Sequence, residues 1–109
     1  MGDALNALET TYFTLQTNLN PTLAACPDQD TKDQVMAQYV AARQNYWSCI
    51  NHAFHDDDPA LQALVVQVDA ANTSLTTIAD HLGDITTVID DITKVVTIGE
   101  QIAAKVISL

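Results

Sequence analysis

Residues 59–106 read PALQALVVQVDAANTSLTTIADHLGDITTVIDDITKVVTIGEQIAAKV, and the way this stretch divides decides the fold. Its apolar residues Leu61, Leu64, Val68, Ala71, Leu75, Ile78 and Leu82 step by three and four, the repeat of one helix face. No window here alternates with period two beyond a few residues, so strands are not expected. Gly83 and Asp84 are the punctuation. If Gly83 ends one helix in the left-handed conformation and Asp84 caps the next, two helices result, at about 59–82 and 84–107. Against that, the register continues through Ile85, Ile89, Ile92 and Val96 without a slip. Read this way, the stretch is one helix of roughly 70 Å at 1.5 Å per residue. Val88, Val95 and Ile102 offer a second register after the glycine, and ordinary helix lengths favour the break.

Upstream, Leu5, Leu8, Tyr12, Leu15 and Leu19 form a helical stripe behind Asp3 as N-cap, and Asn20-Pro21 ends it, giving a helix at about 3–19. The link 21–27 is expected to hold a single turn, with Asn20 as cap and Pro21 at its first position. Thr31-Lys32-Asp33-Gln34 fits the capping-box pattern and starts the next helix between Asp28 and Thr31. Its apolar stripe is wide: Val35, Met36, Tyr39, Val40, Tyr46, Trp47, Ile50, Ala53 and Phe54, for a helix at about 29–55. Arg43 falls inside that stripe, where its stem can cover apolar surface while the guanidinium reaches water or a carboxylate. Trp47 is expected as a core anchor. Asp56-Asp57-Asp58-Pro59 stops this helix and restarts the chain, with Asp58 capping and Pro59 at the first helical position.

The expected fold class is therefore all-α: a single domain, residues 1–109, closing as an antiparallel four-helix bundle in up-down-up-down order. The alternative is a helical hairpin plus one long C-terminal helix continuous through Gly83. Composition agrees with a helical core. The chain has 109 residues, 48% of them hydrophobic and 17% charged, with only three Gly and three Pro. That is too apolar for disorder and too poor in turn residues for a sandwich or barrel. Leu61, Leu64, Leu75, Ile78 and Leu82 are expected mainly in the core.

A net charge of −10 disfavours roles that rest on neutralising phosphate. Lys32, Arg43, Lys94 and Lys105 are scattered singly, so neither nucleic acid nor anionic membrane is an expected partner. The acids are uneven: residues 1–55 hold five, residues 56–109 hold nine. The N-terminus shows neither a basic n-region nor an apolar h-region, and Asn6 breaks the myristoylation pattern. Strongly apolar uncharged stretches such as 59–68 fall short of the ~18 residues a spanning helix needs. The expected setting is cytoplasmic, with leaderless export left open.

Candidate chemistry is sparse. Cys26 and Cys49 lie roughly 30 Å apart if the second helix is continuous, whereas a disulfide needs Cα atoms within about 7 Å. Free thiols, or pairing between chains, follow. Cys49, His52 and Asp56 step by three and four and are the best metal-like set, uniting thiolate, imidazole and carboxylate. They lie at one helix end, with Cys49 at the stripe edge and His52 facing away, and no cofactor is expected. The Asp triplet fails the calcium-loop pattern, having Leu61 and Gln67 where Gly and Glu are required. His81 beside Asp80 and Asp84 has the look of an oriented base, but no nucleophile or phosphate cradle accompanies it. Asp90 and Asp91 precede Lys94 by four and three residues, a surface charge pairing. No enzyme is expected.

What remains is an apolar excess in the last two segments, and large apolar patches mark interfaces. The leading expectation is a non-enzymatic helical association module, a homo-oligomer or the receiver of a cognate helical partner. Val66, Ile89, Val96, Ile98 and Val106 are its candidate surface. One alternative is an acidic inhibitor docking onto a basic partner through Asp56, Asp57, Asp58, Asp90 and Asp91. In size and sign of charge alone it resembles the small acidic four-helix immunity proteins. The other is a metal-binding helical bundle.

Overall fold

Side-chain caps start three of the helices in this chain, and the computed structural model describes residues 3–52 and 58–108. Helix α1 spans Asp3–Thr17 and α2 spans Leu19–Ala25. The two are nearly continuous. Asn18 marks the joint: its amide Nδ2 donates to the Thr14 carbonyl at 2.9 Å, and the Thr22 hydroxyl donates to the Asn18 carbonyl at 2.6 Å. The cap of the second turn is thus Asn18, not Asn20. Pro21 sits in the first turn of α2, where its missing N–H leaves no helical bond unmade.

Helix α3 spans Gln29–Cys49 and starts on Asp28, whose Oδ1 accepts from the Thr31 N–H at 2.8 Å and the Thr31 hydroxyl at 2.6 Å. Thr31 is therefore a partner of the cap rather than the cap of a box with Gln34. The helix ends at Cys49, and the expected continuation to residue 55 falls partly on residues 53–57, which lie outside the described residues. Helix α4, Pro59–Leu75, starts as expected: Asp58 accepts from the Leu61 N–H at 3.0 Å, with Pro59 at the first position.

Helix α4 stops at Leu75, seven residues before the expected end, and a 3-10 turn follows at Ile78–Asp80 before α5, Ile85–Ser108. The chain is thus broken, and a single helix through Gly83 is not formed. The glycine does not make the break. Gly83 lacks the positive φ of a left-handed cap, and a side chain there would meet open space. Three threonine hydroxyls bond carbonyls around the break. The Thr73 hydroxyl donates to the Asp69 carbonyl, Thr76 to Thr73 and Thr77 to Ser74, so side chains occupy carbonyls at the helix end. Leu75 and Ile78 still enter the core across the turn. Asp84 then caps α5, accepting from the Thr87 N–H and hydroxyl.

The described residues hold no strand. Helix α1 packs on α3 and α4, α5 packs on the same two, and α1 also touches α5. Named pairs give the directions. Glu9 meets Tyr46 while Leu15 and Leu19 meet Val35 and Tyr39, so α1 and α3 are antiparallel. Asp3 faces Leu61–Asp69 while Ala7 and Thr11 meet Asn72, so α1 and α4 are parallel. Asn45 reaches Val96 and Cys49 reaches Ala103, so α3 and α5 are parallel. Ser74 faces Asp91 and Gln67 faces Lys94, so α4 and α5 are antiparallel. The molecule measures 42 × 21 × 17 Å.

Helix α5 packs against three other helices. Val88, Ile92, Val95, Val96, Ile98, Ile102, Ala103 and Val106 are all buried. Gly99 lets three helices meet, since a Cβ there would lie 3.2 Å from Asn45 Nδ2 and 3.4 Å from Leu8 Cδ2. Between α1 and α4 a polar knot is sealed in: the Thr11 hydroxyl lies 2.7 Å from Asn72 Oδ1, and Asn72 Nδ2 donates to the Ala7 carbonyl at 3.3 Å.

Candidate interaction surface

The chain carries one Trp, three Tyr and two Phe, and all but Phe54, which lies outside the described residues, gather at the seam of α1 and α3. Tyr12, buried, is the hub. Its ring centroid lies 5.1 Å from Phe13, 5.8 Å from Tyr39, 5.9 Å from Tyr46 and 6.4 Å from Trp47. Tyr46 also stands 6.2 Å from Phe13. Its hydroxyl donates to Glu9 Oε2 at 2.8 Å, and this bond, with some desolvation, pushes the phenol pKa above the usual tyrosine value. The Tyr12 phenol is raised as well, chiefly by its hydrogen bond with Tyr39.

Arg43 completes the cluster. Its guanidinium lies 5.1 Å from the Trp47 ring centroid and 5.9 Å from that of Tyr39, within cation–π range. The outer rings are open to solvent: Phe13 is 45% exposed and Trp47 55%. Trp47 is therefore not the core anchor its place in the stripe suggested. Met36 and Val40 of the same helix, and Ile50 at its C-cap, are exposed as well.

The wide stripe of α3 is thus two stripes. Val35, Ala42 and Cys49 are buried, with Tyr39 and Tyr46 packed against the core, while Met36, Val40, Trp47 and Ile50 lie one residue further round and face out. The sequence did hold that signal, as apolar or aromatic doublets at 35–36, 39–40, 46–47 and 49–50. A helix with one buried face needs only one member of each doublet, so the second member marks a further face.

The surface expected in the last two segments is placed differently. Val96, Ile98 and Val106 are buried within the chain, because α5 is packed by three helices. Ile89 is partly exposed, beside Pro27, Thr31 and Gln34, and Val66 stands 70% exposed on α4.

Of the candidate metal set, two members fall within the described residues. Cys49 is fully buried with Sγ 4.0 Å from the Ala103 carbonyl, His52 is exposed past the helix end, and Asp56 lies outside the described residues. Among the described residues no group of three His, Cys, Asp or Glu is placed to hold a metal ion. Both cysteines are free thiols, and burial pushes the pKa of each up. Of the acidic set, Asp58 is held as a cap, Asp90 is exposed, Asp91 is half-buried, and Asp56 and Asp57 lie outside the described residues. His81 gains no orienting carboxylate from Asp84, whose oxygens accept from Thr87.

No helix among the described residues is long and apolar enough to cross a membrane. Comparison with protein-family models, with curated proteins and with solved structures gave no match to this chain.

Proposed function

We propose that this chain is a non-enzymatic helical association module that buries the α1–α3 aromatic face against a copy of itself or a cognate helical partner. The observation that carries the reading is the exposure of Phe13 and Trp47 in the aromatic cluster that Arg43 completes. Trp, Tyr and Arg are the residue types that dominate interface energies, and an apolar patch left in water by a small fold marks a contact surface. The reading includes an architecture: α1, α3, α4 and α5 form a four-helix bundle of two antiparallel hairpins laid side by side. The residue pairs between those helices support it.

The test compares the wild-type chain with a Phe13→Ser/Trp47→Ser variant. Sedimentation at tens of micromolar and retention of partners from lysate of the source cells are measured for both. The wild type is expected to self-associate or to retain a partner, and the variant to lose this while keeping its helical circular dichroism. A wild type that stays an 11.8 kDa monomer and retains nothing the variant does not would overturn the reading.

A further inference from the structure

We propose that the outer face of α3 is a docking strip for an amphipathic helix of another protein, one that sets a carboxylate against Arg43. This rests on the association reading above and names the partner's chemistry. Met36, Val40, Arg43, Trp47 and Ile50 recur at steps of four and three, the seam spacing that a second helix matches with its own apolar side chains. The seam is about 21 Å long at 1.5 Å per residue. Its middle position is a charge.

Arg43 is the chain's only arginine, and residues 34–52 contain no Asp or Glu in a chain of net charge −10. Among the described residues no carboxylate pairs with its guanidinium, which lies over the Tyr39 and Trp47 rings. The ring contacts hold the group in place before any partner arrives. Covering it with a wholly apolar helix would bury an unpaired charge, a costly state, whereas a carboxylate opposite makes charge-assisted hydrogen bonds. A second copy docked through the same strip fits less well. Two-fold pairing centred on the strip would bring Arg43 against Arg43, between two chains of the same strong negative charge.

The experiment uses two designed 18-residue peptides with the same leucine pattern at helical spacing, carrying either Glu or Lys at the middle facing position. Trp47, the only tryptophan, reports binding by its fluorescence. The Glu peptide is expected to bind wild-type protein about tenfold more tightly than the Lys peptide, an order set by the central charge pair. Arg43→Glu should invert that order, and Arg43→Gln should abolish it, with helical circular dichroism confirming that each variant is folded. Equal binding of both peptides would overturn this inference while leaving the association reading intact. Binding of neither would also overturn it, and sedimentation of the chain alone then judges the broader reading. A dimer lost in Trp47→Glu would assign the strip to a second copy and overturn the foreign-helix assignment.

Discussion

The buried knot between α1 and α4 makes an asymmetric prediction. Thr11 and Asn72 are both sealed from solvent, at 3% and 6% exposure. The Thr11 hydroxyl has one proton and two acceptors in reach, Asn72 Oδ1 at 2.7 Å and the Ala7 carbonyl at 3.1 Å. Thr11→Val keeps the shape but removes the only donor shown for Asn72 Oδ1, leaving a buried acceptor unpaired at a cost of about 1–3 kcal/mol. Asn72→Leu removes the amide, yet the Thr11 hydroxyl turns to the Ala7 carbonyl and nothing is stranded. Added apolar burial offsets part of the lost bonds, so this change should cost below about 1 kcal/mol. In the double variant no orphan remains. Its cost should fall short of the summed single costs by about 1 kcal/mol or more, a coupling that contacting residues show and distant ones do not. Urea unfolding followed by Trp47 fluorescence and circular dichroism gives each value, with equal slopes checking that the transitions are comparable. An Asn72→Leu cost equal to or above that of Thr11→Val would refute the reasoning. So would additive singles, because either result means that the hydroxyl does not serve Asn72.

Four further outcomes follow from local surroundings elsewhere in the fold. Gly83→Ala should be neutral or raise stability by up to about 1 kcal/mol by restricting the unfolded chain, because a Cβ there meets nothing and φ is not positive. Gly99→Leu should cost about 1–3 kcal/mol by overpacking against Asn45 and Leu8, and thermal melts of the pair separate the two glycines. The Tyr46 phenol, raised first by its bond to Glu9, stays protonated in the fold at pH values where unfolded tyrosine ionises; its stabilisation is complete below the unfolded value near 10 and is lost as pH rises through the folded one. Glu9→Gln should bring its ultraviolet ionisation midpoint down, and an unchanged titration would count against the bond. Cys26 and Cys49, buried and raised by desolvation, should react with a thiol reagent at pH 8 far more slowly in native protein than in guanidinium.

Helix identity was legible in this sequence because spacing alone shows it, and the caps at Asp58 and Asp84 were legible because a carboxylate before a helical run has one favoured use. Where α4 ends was not legible. Leu75, Ile78 and Leu82 keep a helical step whether the chain between them is helix or a 3-10 turn, so the core pattern is blind to the break. The hydroxyls of Thr73, Thr76 and Thr77 bond carbonyls around that end, a local feature that periodicity does not register. The same blindness displaced the candidate surface. Branched residues on several sides of α5 signal either an interface between molecules or a helix enclosed by its own chain, and only the positions of α1, α3 and α4 decide between these. With α5 enclosed, Val96, Ile98 and Val106 are occupied. The apolar excess that the fold leaves over then falls chiefly on α3, where Arg43 among the aromatics is the one residue whose charge a plain core would have no reason to keep.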